Sequence, residues 1–245
     1  MHSATQRARI ISALNNRYSI SRARLRDAGG YRLAQRLRGE GLTFLPQMAL
    51  LDLRERVLAI EESNTPGMLI EAGCALGGSS IMLAASKNPQ RALKVYDVFS
   101  TIPPPSEKDG EDVTARYQLI VEGKATGFDG DVYYGYQENL EQKVAETFER
   151  FGYSVQSNSI SLIPGLFQDT ISPDGPVALA HVDGDWYESV KVCLERIWPE
   201  LSPGGVIVVD DYDAWTGCRL AVDEFISGRE NVRIERKARL HLIRR

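Results

Sequence analysis

Two groups of carboxylates in this sequence would be costly to hold together without a purpose. His181-Val182-Asp183-Gly184-Asp185-Trp186-Tyr187 closes one apolar run, and Asp210-Asp211-Tyr212-Asp213 closes another. If the two runs are neighbouring parallel strands, both groups reach the same edge of one sheet. Carboxylates packed there repel one another unless something positive lies between them. A hard divalent cation fits best, and oxygen ligands suit Mg²⁺, Mn²⁺ or Ca²⁺. A lone Asp beyond a strand is commonly a helix cap or turn residue, and that reading stays open for Asp185 and Asp213. It suits the doubled Asp210-Asp211 poorly. His181 sits inside the apolar run, so it reads as a core residue or one that supports the acids from behind.

A second constellation is Glu71-Ala72-Gly73-Cys74-Ala75-Leu76-Gly77-Gly78. It has the form of a strand, a turn and a helix start at Ser79. Gly73 permits the sharp turn, and Gly77 and Gly78 leave room for a ligand at the helix N-terminus. Ala75 takes the place of the second glycine in the dinucleotide signature, and the loop has no lysine for a triphosphate. Asp97, at the end of the next strand, is placed to accept hydrogen bonds from the ribose hydroxyls of an adenosine. Glu71 suits a cationic ligand better than a pyrophosphate, which points to S-adenosylmethionine and its positive sulfonium. The alternative is a tight turn that binds nothing.

These residues must be carried by alternating strands and helices, the mark of a parallel α/β sheet. Strands are predicted over 68–71, 93–98, 160–163, 177–182 and 206–209, the last entered through a turn at Pro203-Gly204-Gly205. Helices are predicted over 50–60, from 79, and over 137–151, 187–197 and 218–226. Residues 232–234 and 238–243 can close the sheet as an antiparallel hairpin. Residues 100–136 interrupt the rhythm with Pro103-Pro104-Pro105, Lys108-Asp109-Gly110 and a short helical piece at 113–121. Long connections in compact domains tend to be lids or substrate loops, and this one follows a parallel strand at the ligand-binding edge. A merely decorative insertion is the alternative.

The chain has 245 residues, 43% apolar and 25% charged, which excludes disorder and fibres. No apolar run reaches the roughly 18 residues of a membrane span. Three cysteines are too few for a disulfide framework, so a reducing, cytoplasmic setting is expected. Charge is uneven. Residues 1–45 hold nine arginines and two acids, a balance of +7, which leaves −11 on the rest. Such a start suits a mitochondrial presequence, a nucleic-acid contact or an amphipathic arm. The arm is favoured, with Ile10, Leu14, Leu25, Leu33 and Leu37 buried against another subunit or over the substrate cleft.

Taken together, Glu71-Ala72-Gly73 with Gly77-Gly78, Pro103–Pro105 with residues 106–110, His181 through Ser189, and Pro203-Gly204-Gly205 through Tyr212 resemble the macrocin O-methyltransferase family. The resemblance covers residues 45–243 or so. It implies a class I methyltransferase-like Rossmann fold with a mostly parallel seven-stranded sheet, helices on both faces and a C-terminal antiparallel hairpin. The domain would span 46–245, with a lid at about 100–136, behind a basic arm of helices at 1–45. The resemblance also implies S-adenosylmethionine and Mg²⁺ or another divalent cation as cofactors. The cofactor residues would be Glu71, Gly73, Gly77, Gly78, Ser79, Asp97 and Asp183. The metal ligands would be Asp183, Asp210 and Asp211, and the general base Asp185. The acceptor would be a sugar hydroxyl of a glycosylated natural product, glycolipid or polysaccharide precursor. Phe99-Ser100-Thr101 departs from the family pattern of phenylalanine, an acid and glycine, which leaves the acceptor open. A homo-oligomer, dimer or higher, is expected, with no nucleic-acid partner.

Three other readings compete. A catechol-type enzyme would use the same cation on a phenolic diol. Tyr187 and Lys191 have the Tyr-x-x-x-Lys spacing of a short-chain dehydrogenase, but the glycine signature that should accompany it is broken at Ala75. A nucleic-acid-binding protein built on the basic arm would leave the acidic edge unexplained.

Overall fold

The computed structural model describes residues 25–245. Ile10 and Leu14 of the basic arm lie outside the described residues. Seven strands form one sheet in the order β3-β2-β1-β4-β5-β7-β6. They are β1 (Met68–Ala72), β2 (Leu93–Asp97), β3 (Ile160–Pro164), β4 (Val177–Val182), β5 (Leu201–Val209), β6 (Val232–Arg236) and β7 (Leu240–Arg244). The first five are parallel, and the β6–β7 hairpin joins β5 antiparallel. This is the class I methyltransferase arrangement. The chain order doubles back between β1 and β4, so a crevice opens at their carboxyl ends.

Strand side chains alternate between two faces, and both faces are covered. Leu69, Val206 and Val208 join one apolar cluster, while Ile70, Ile207 and Val209 join the other. On the first face pack α1 (Ala28–Gly39), α2 (Gln47–Glu62), α3 (Gly78–Ala84) and α5 (Leu140–Arg150). On the second pack α7 (Tyr187–Ile197) and α8 (Thr216–Ile226). The helix of the 100–136 connection, α4, is Glu111–Val121, and one turn of helix, α6, spans Phe167–Thr170.

Strand β5 begins earlier than its apolar run suggests. Leu201 is buried and pairs with Val177, and the pairing then shifts register before Leu179 meets Val206. Pro203 and Gly204 are exposed there, so the expected turn is an irregularity within the strand.

The described part of the basic segment packs on its own domain. Asp27 caps α1 by accepting from the Gly30 amide at 2.9 Å and also pairs with Arg54 of α2. Ala34 and Leu37 are fully buried in the first-face core, Leu33 packs against it, and Leu25 is 87% exposed. The segment then crosses the start of α3, where the Gly78 amide donates to the Leu42 carbonyl at 3.0 Å.

Two attachments set the height of the crevice walls. His241 of β7 is buried between Asp52 at 2.9 Å and Arg56 at 2.9 Å, both on α2, which fixes the hairpin. The 100–136 connection is tied to two helices of the body. Asp109 accepts from the Tyr187 amide at 2.8 Å, and Asp112 from the Thr216 amide at 3.0 Å, so each caps a helix of the body. A Cβ on Gly217 would lie 1.9 Å from the Asp109 carboxylate, so a larger residue there would displace Asp109 from the Tyr187 amide.

Candidate active site

The crevice holds a cavity of about 460 Å³ and, adjoining it, one of about 50 Å³. Gly73, Asp97, Asp183 and Asp185 line both, and Ser79, Asp210 and Asp211 line the larger. Glu71, Gly77 and Gly78 line neither. The sequence therefore brings seven of its ten expected site residues to one crevice and leaves three behind its wall.

The glycines have a local reason that sequence reading missed. A Cβ on Gly73 (φ +92°) would meet the Asp183 carbonyl oxygen at 1.9 Å. A Cβ on Gly78 would meet the Leu42 carbonyl oxygen at 2.5 Å and the Thr43 Cβ at 2.7 Å. Gly73 thus lets the end of β4 close on the loop, and Gly78 lets the segment after α1 close over α3. Thr43, Phe44 and Leu45 consequently form part of the larger cavity's wall.

Asp97 organises the loop. Its Oδ2 accepts from the amides of Cys74 (2.8 Å) and Ala75 (3.1 Å), and its Oδ1 from the Phe99 amide (2.8 Å). Ala75 and Phe99 both stand at positive φ, +47° and +49°, a conformation that costs a residue with a side chain about 1–3 kcal/mol. The Asp97 bonds hold both there. Burial raises the Asp97 pKa, and the three amides work against it.

Behind the loop, Glu71 is fully buried between the Ser79 hydroxyl, which donates to it, and His181 Nδ1 at 3.1 Å. The strand register sets Glu71 directly beside His181. On the other side of the ring, His181 Nε2 lies 3.6 Å from Asp210. Burial works to lower the His181 pKa, but Glu71 and Asp210 outweigh it and push it up to about 10. Asp210 is also held by Arg239, whose Nε donates at 2.6 Å and whose second nitrogen donates at 3.3 Å. Burial raises the Asp210 carboxyl, yet His181 and Arg239 bring it below its usual value.

The remaining acids are not matched in this way. Asp183, Asp185 and Asp211 each bring one oxygen within 4.8 Å of the others. Burial, then the charges of Asp211 and Asp210, push Asp183 well above the carboxylate range. Burial and Asp185 do the same to Asp211. Asp185 is pushed up to about 6 by burial, against the hydrogen bond it accepts from Trp215 Nε1 at 2.8 Å. The chain turns at Gly184, and Asp185 stands at φ +53°, so it does not continue the strand geometry of Asp183. Its amide donates to Asp211 at 3.2 Å. Asp213 is exposed and pairs with Arg236 at 2.9 Å.

The dehydrogenase spacing finds no site. The Tyr187 hydroxyl donates to Glu224, and neither Tyr187 nor Lys191 lines either cavity. Several cavity residues escaped the sequence reading: Arg116, Tyr133, Tyr134, Trp215 and Arg239. Arg239 was the one a register argument could have found. Val209 pairs antiparallel with Leu240, which sets residue 239 across from Asp210.

The profile of the Macrocin-O-methyltransferase (TylF) family matches residues 3–236. A Streptomyces olivaceus protein named 8-demethyl-8-(2,3-dimethoxy-alpha-L-rhamnosyl)-tetracenomycin-C 4'-O-methyltransferase is 35% identical over 70% of this chain. The demethyldecarbamoylnovobiocin O-methyltransferase of Streptomyces niveus is 30% identical over 72% of it. These matches span 61% and 64% of the two relatives' own lengths. Among solved structures, the O-methyltransferase NovP superposes with a TM-score of 0.67 at 25% identity, covering 85% of this chain and 87% of its own. The match extends well into the basic segment that the sequence motifs left outside the resemblance. The chain belongs to the macrocin O-methyltransferase family.

Proposed function

We propose that this protein transfers the methyl group of S-adenosylmethionine to a sugar hydroxyl of a glycosylated natural product, glycolipid or polysaccharide precursor, with the help of a divalent cation. The observation that carries the reading is the cluster of under-neutralised acids, Asp183, Asp185 and Asp211, beside a cavity walled by the glycine loop. Family and fold both imply S-adenosylmethionine. The Streptomyces olivaceus relative supports a glycoside acceptor by the rhamnosyl group in its name.

The residues present fit both absent groups. A cavity of about 460 Å³ is of a size that holds a small organic cofactor, and Asp97 faces it with lone pairs to spare beyond its three amides. Among the residues lining this cavity, Asp97, Asp183, Asp185, Asp210 and Asp211 outnumber Arg116 and Arg239, and Arg239 is already paired with Asp210, which favours a sulfonium over a phosphate. For the cation, buried carboxylates held against mutual repulsion form an oxygen donor set of the kind Mg²⁺ takes. Asp183 and Asp211 would hold it, joined by Asp210 once that carboxylate gives up part of its pairing with Arg239. When bound, the cofactor supplies an electrophilic methyl group and the cation supplies positive charge beside the accepting oxygen.

The chain's own residues do the rest. Asp185 takes the proton from the hydroxyl as general base, at the oxygen that Trp215 does not occupy. Its tendency to hold a proton more tightly than an ordinary carboxylate suits that task. Trp215 fixes the direction of the carboxylate. The lid, latched through Asp109 and Asp112, excludes water and holds the acceptor in line with the methyl group.

The reading includes a cytoplasmic homo-oligomer that does not act on nucleic acid. Among the described residues no helix is long and apolar enough to cross a membrane. Light scattering tests the oligomer. The activity is tested by transfer of labelled methyl from S-adenosylmethionine to a panel of 6-deoxyhexosides, hexosides and catechol. Glycosides should be methylated, EDTA should abolish transfer and Mg²⁺ should restore it. Preference for catechol would overturn the sugar acceptor. Full activity in exhaustive chelator would overturn the cation.

A further inference from the structure

The lid helix α4 is amphipathic in an unusual way. Val113 and Ile120 are buried and anchor it. Arg116 lies between them at the helical spacings of three and four residues, so it shares their inward stripe. A charged residue on a buried stripe is the informative exception to the burial rule. Its guanidinium lies 5.5 Å from the centre of the Tyr133 ring, and the residue lines the larger cavity. Among the described residues it makes no hydrogen bond and no ion pair. Its guanidinium N–H donors therefore have no protein acceptor among the described residues, at a residue that lines the cavity.

The other arginine in this cavity behaves differently. Arg239 spends its donors on Asp210. Arg116 is carried by the lid, opposite the sheet edge that holds the acids, and its charge is felt at Asp185. An acceptor whose hydroxyl meets Asp185 must then fill the space between the two. Arg116 also lies in cation–π contact with the Tyr133 ring, which limits the freedom it would lose on binding.

We infer that Arg116 is a specificity-determining residue that donates two hydrogen bonds to adjacent oxygens of a neutral sugar, on the side away from the hydroxyl being methylated. The inference rests on the sugar reading given above. Neutrality follows from the walls. Asp97, Asp183, Asp185, Asp210 and Asp211 line the same cavity, and its second arginine, Arg239, is already paired with Asp210, so Arg116 alone would face the charge of an anionic acceptor while a polyol brings none.

The test uses the full chain with Mg²⁺ and labelled S-adenosylmethionine. The acceptors are methyl glycosides of L-rhamnose and other common hexoses, a nucleotide-linked rhamnose and catechol. For Arg116→Met we expect KM for the neutral glycoside to rise about ten- to a hundredfold, the worth of charge-assisted hydrogen bonds. The kcat should stay within a few-fold, and calorimetric affinity for S-adenosylmethionine should be unchanged. Arg116→Lys, which keeps the charge but not the fork, should recover only part of the loss. An unchanged KM in Arg116→Met would overturn the inference and leave the sugar reading intact. Weakened S-adenosylmethionine binding would reassign Arg116 to the cofactor. A wild type that favours the nucleotide-linked sugar, with that preference lost in Arg116→Met, would overturn the neutral acceptor. A wild type that methylates none of the sugars would overturn the sugar reading and the inference with it.

Discussion

The two ends of this crevice treat buried carboxylates in opposite ways. At the glycine loop every acid is matched by the protein itself: Asp97 by three amides, Glu71 by Ser79 and His181, and Asp210, at the boundary, by His181 and Arg239. At the lid side, Asp183, Asp185 and Asp211 have little beyond one another, one indole N–H and one amide. A matched acid is complete as it stands and can serve as a fixed acceptor. An unmatched cluster stores repulsion that only protons or a cation relieve. The difference separates carboxylates that build the site from carboxylates that work in it.

The sharpest way to break that division is Asp185→Asn, which keeps shape but cannot take a proton. We expect kcat to fall by roughly 10²–10⁴ with S-adenosylmethionine and Mn²⁺ binding retained. Calorimetry and single-turnover kinetics check this. If Asp185→Asn loses the metal while Asp183→Asn keeps it and is inactive, the two acids exchange roles.

On the matched side, Asp97→Ala should reduce S-adenosylmethionine affinity about ten- to a hundredfold, because a charge-assisted acceptor is lost. Three amides are also left without a partner, so part of the loss should appear as looser binding of every adenosine analogue. Equal affinity in wild type and variant would remove Asp97 from the cofactor site.

A subtler contrast concerns pH in chelator. Asp183, Asp185 and Asp211 hold protons more tightly folded than unfolded, Asp185 up to about 6. Their contribution is full below the unfolded carboxylate pKa, about 4, and is lost as pH rises through the folded values. Asp210 has the opposite sign, since its pKa is lowered. Its contribution is present above the unfolded value and lost as pH falls through the folded one. Near neutral pH in EDTA, Asp211→Asn should therefore raise Tm by about 2–4 °C per kcal/mol of repulsion removed. Excess Mg²⁺ should erase that gain. A variant that melts lower than wild type under chelation would show the cluster to be stabilising in itself.

The smallest expected effect is that of Trp215→Phe. It removes one hydrogen bond of about 1 kcal/mol from Asp185, so kcat should fall about five- to tenfold with KM little changed. A loss as large as that of Asp185→Asn would mean that Trp215 touches the acceptor.

Most of the sheet was legible because its strands are buried on both faces and read as short apolar runs. The runs at 177–182 and 206–209 announced themselves, and the acids beyond them fell where two adjacent parallel strands must end. The hairpin at the chain's end was legible for the same reason. Arg116 was not, because α4 shows its inward stripe only once Val113 and Ile120 are known to be anchors. Gly73 was read for the turn and Gly78 for a ligand, whereas the two also make way for Asp183 and Leu42, residues distant in sequence. The basic arm was expected to be helical with Leu33 and Leu37 buried against another subunit or over the cleft, but nothing in its charge shows that α1 packs both on its own domain.

The latch between lid and body carries its own reporter. The amides of Tyr187 and Thr216 are the donors taken by Asp109 and Asp112, and each stands at the first turn of a helix, where no earlier carbonyl is available to it. If the connection acts as the proposed lid, its lifting would expose both protons to solvent while the helices beneath remain folded. Hydrogen–deuterium exchange at these two amides therefore counts lid openings. The rest of α7 and α8 should exchange only when the domain itself opens. A bound acceptor that holds the lid down should slow the two amides together and leave the helix interiors unaffected.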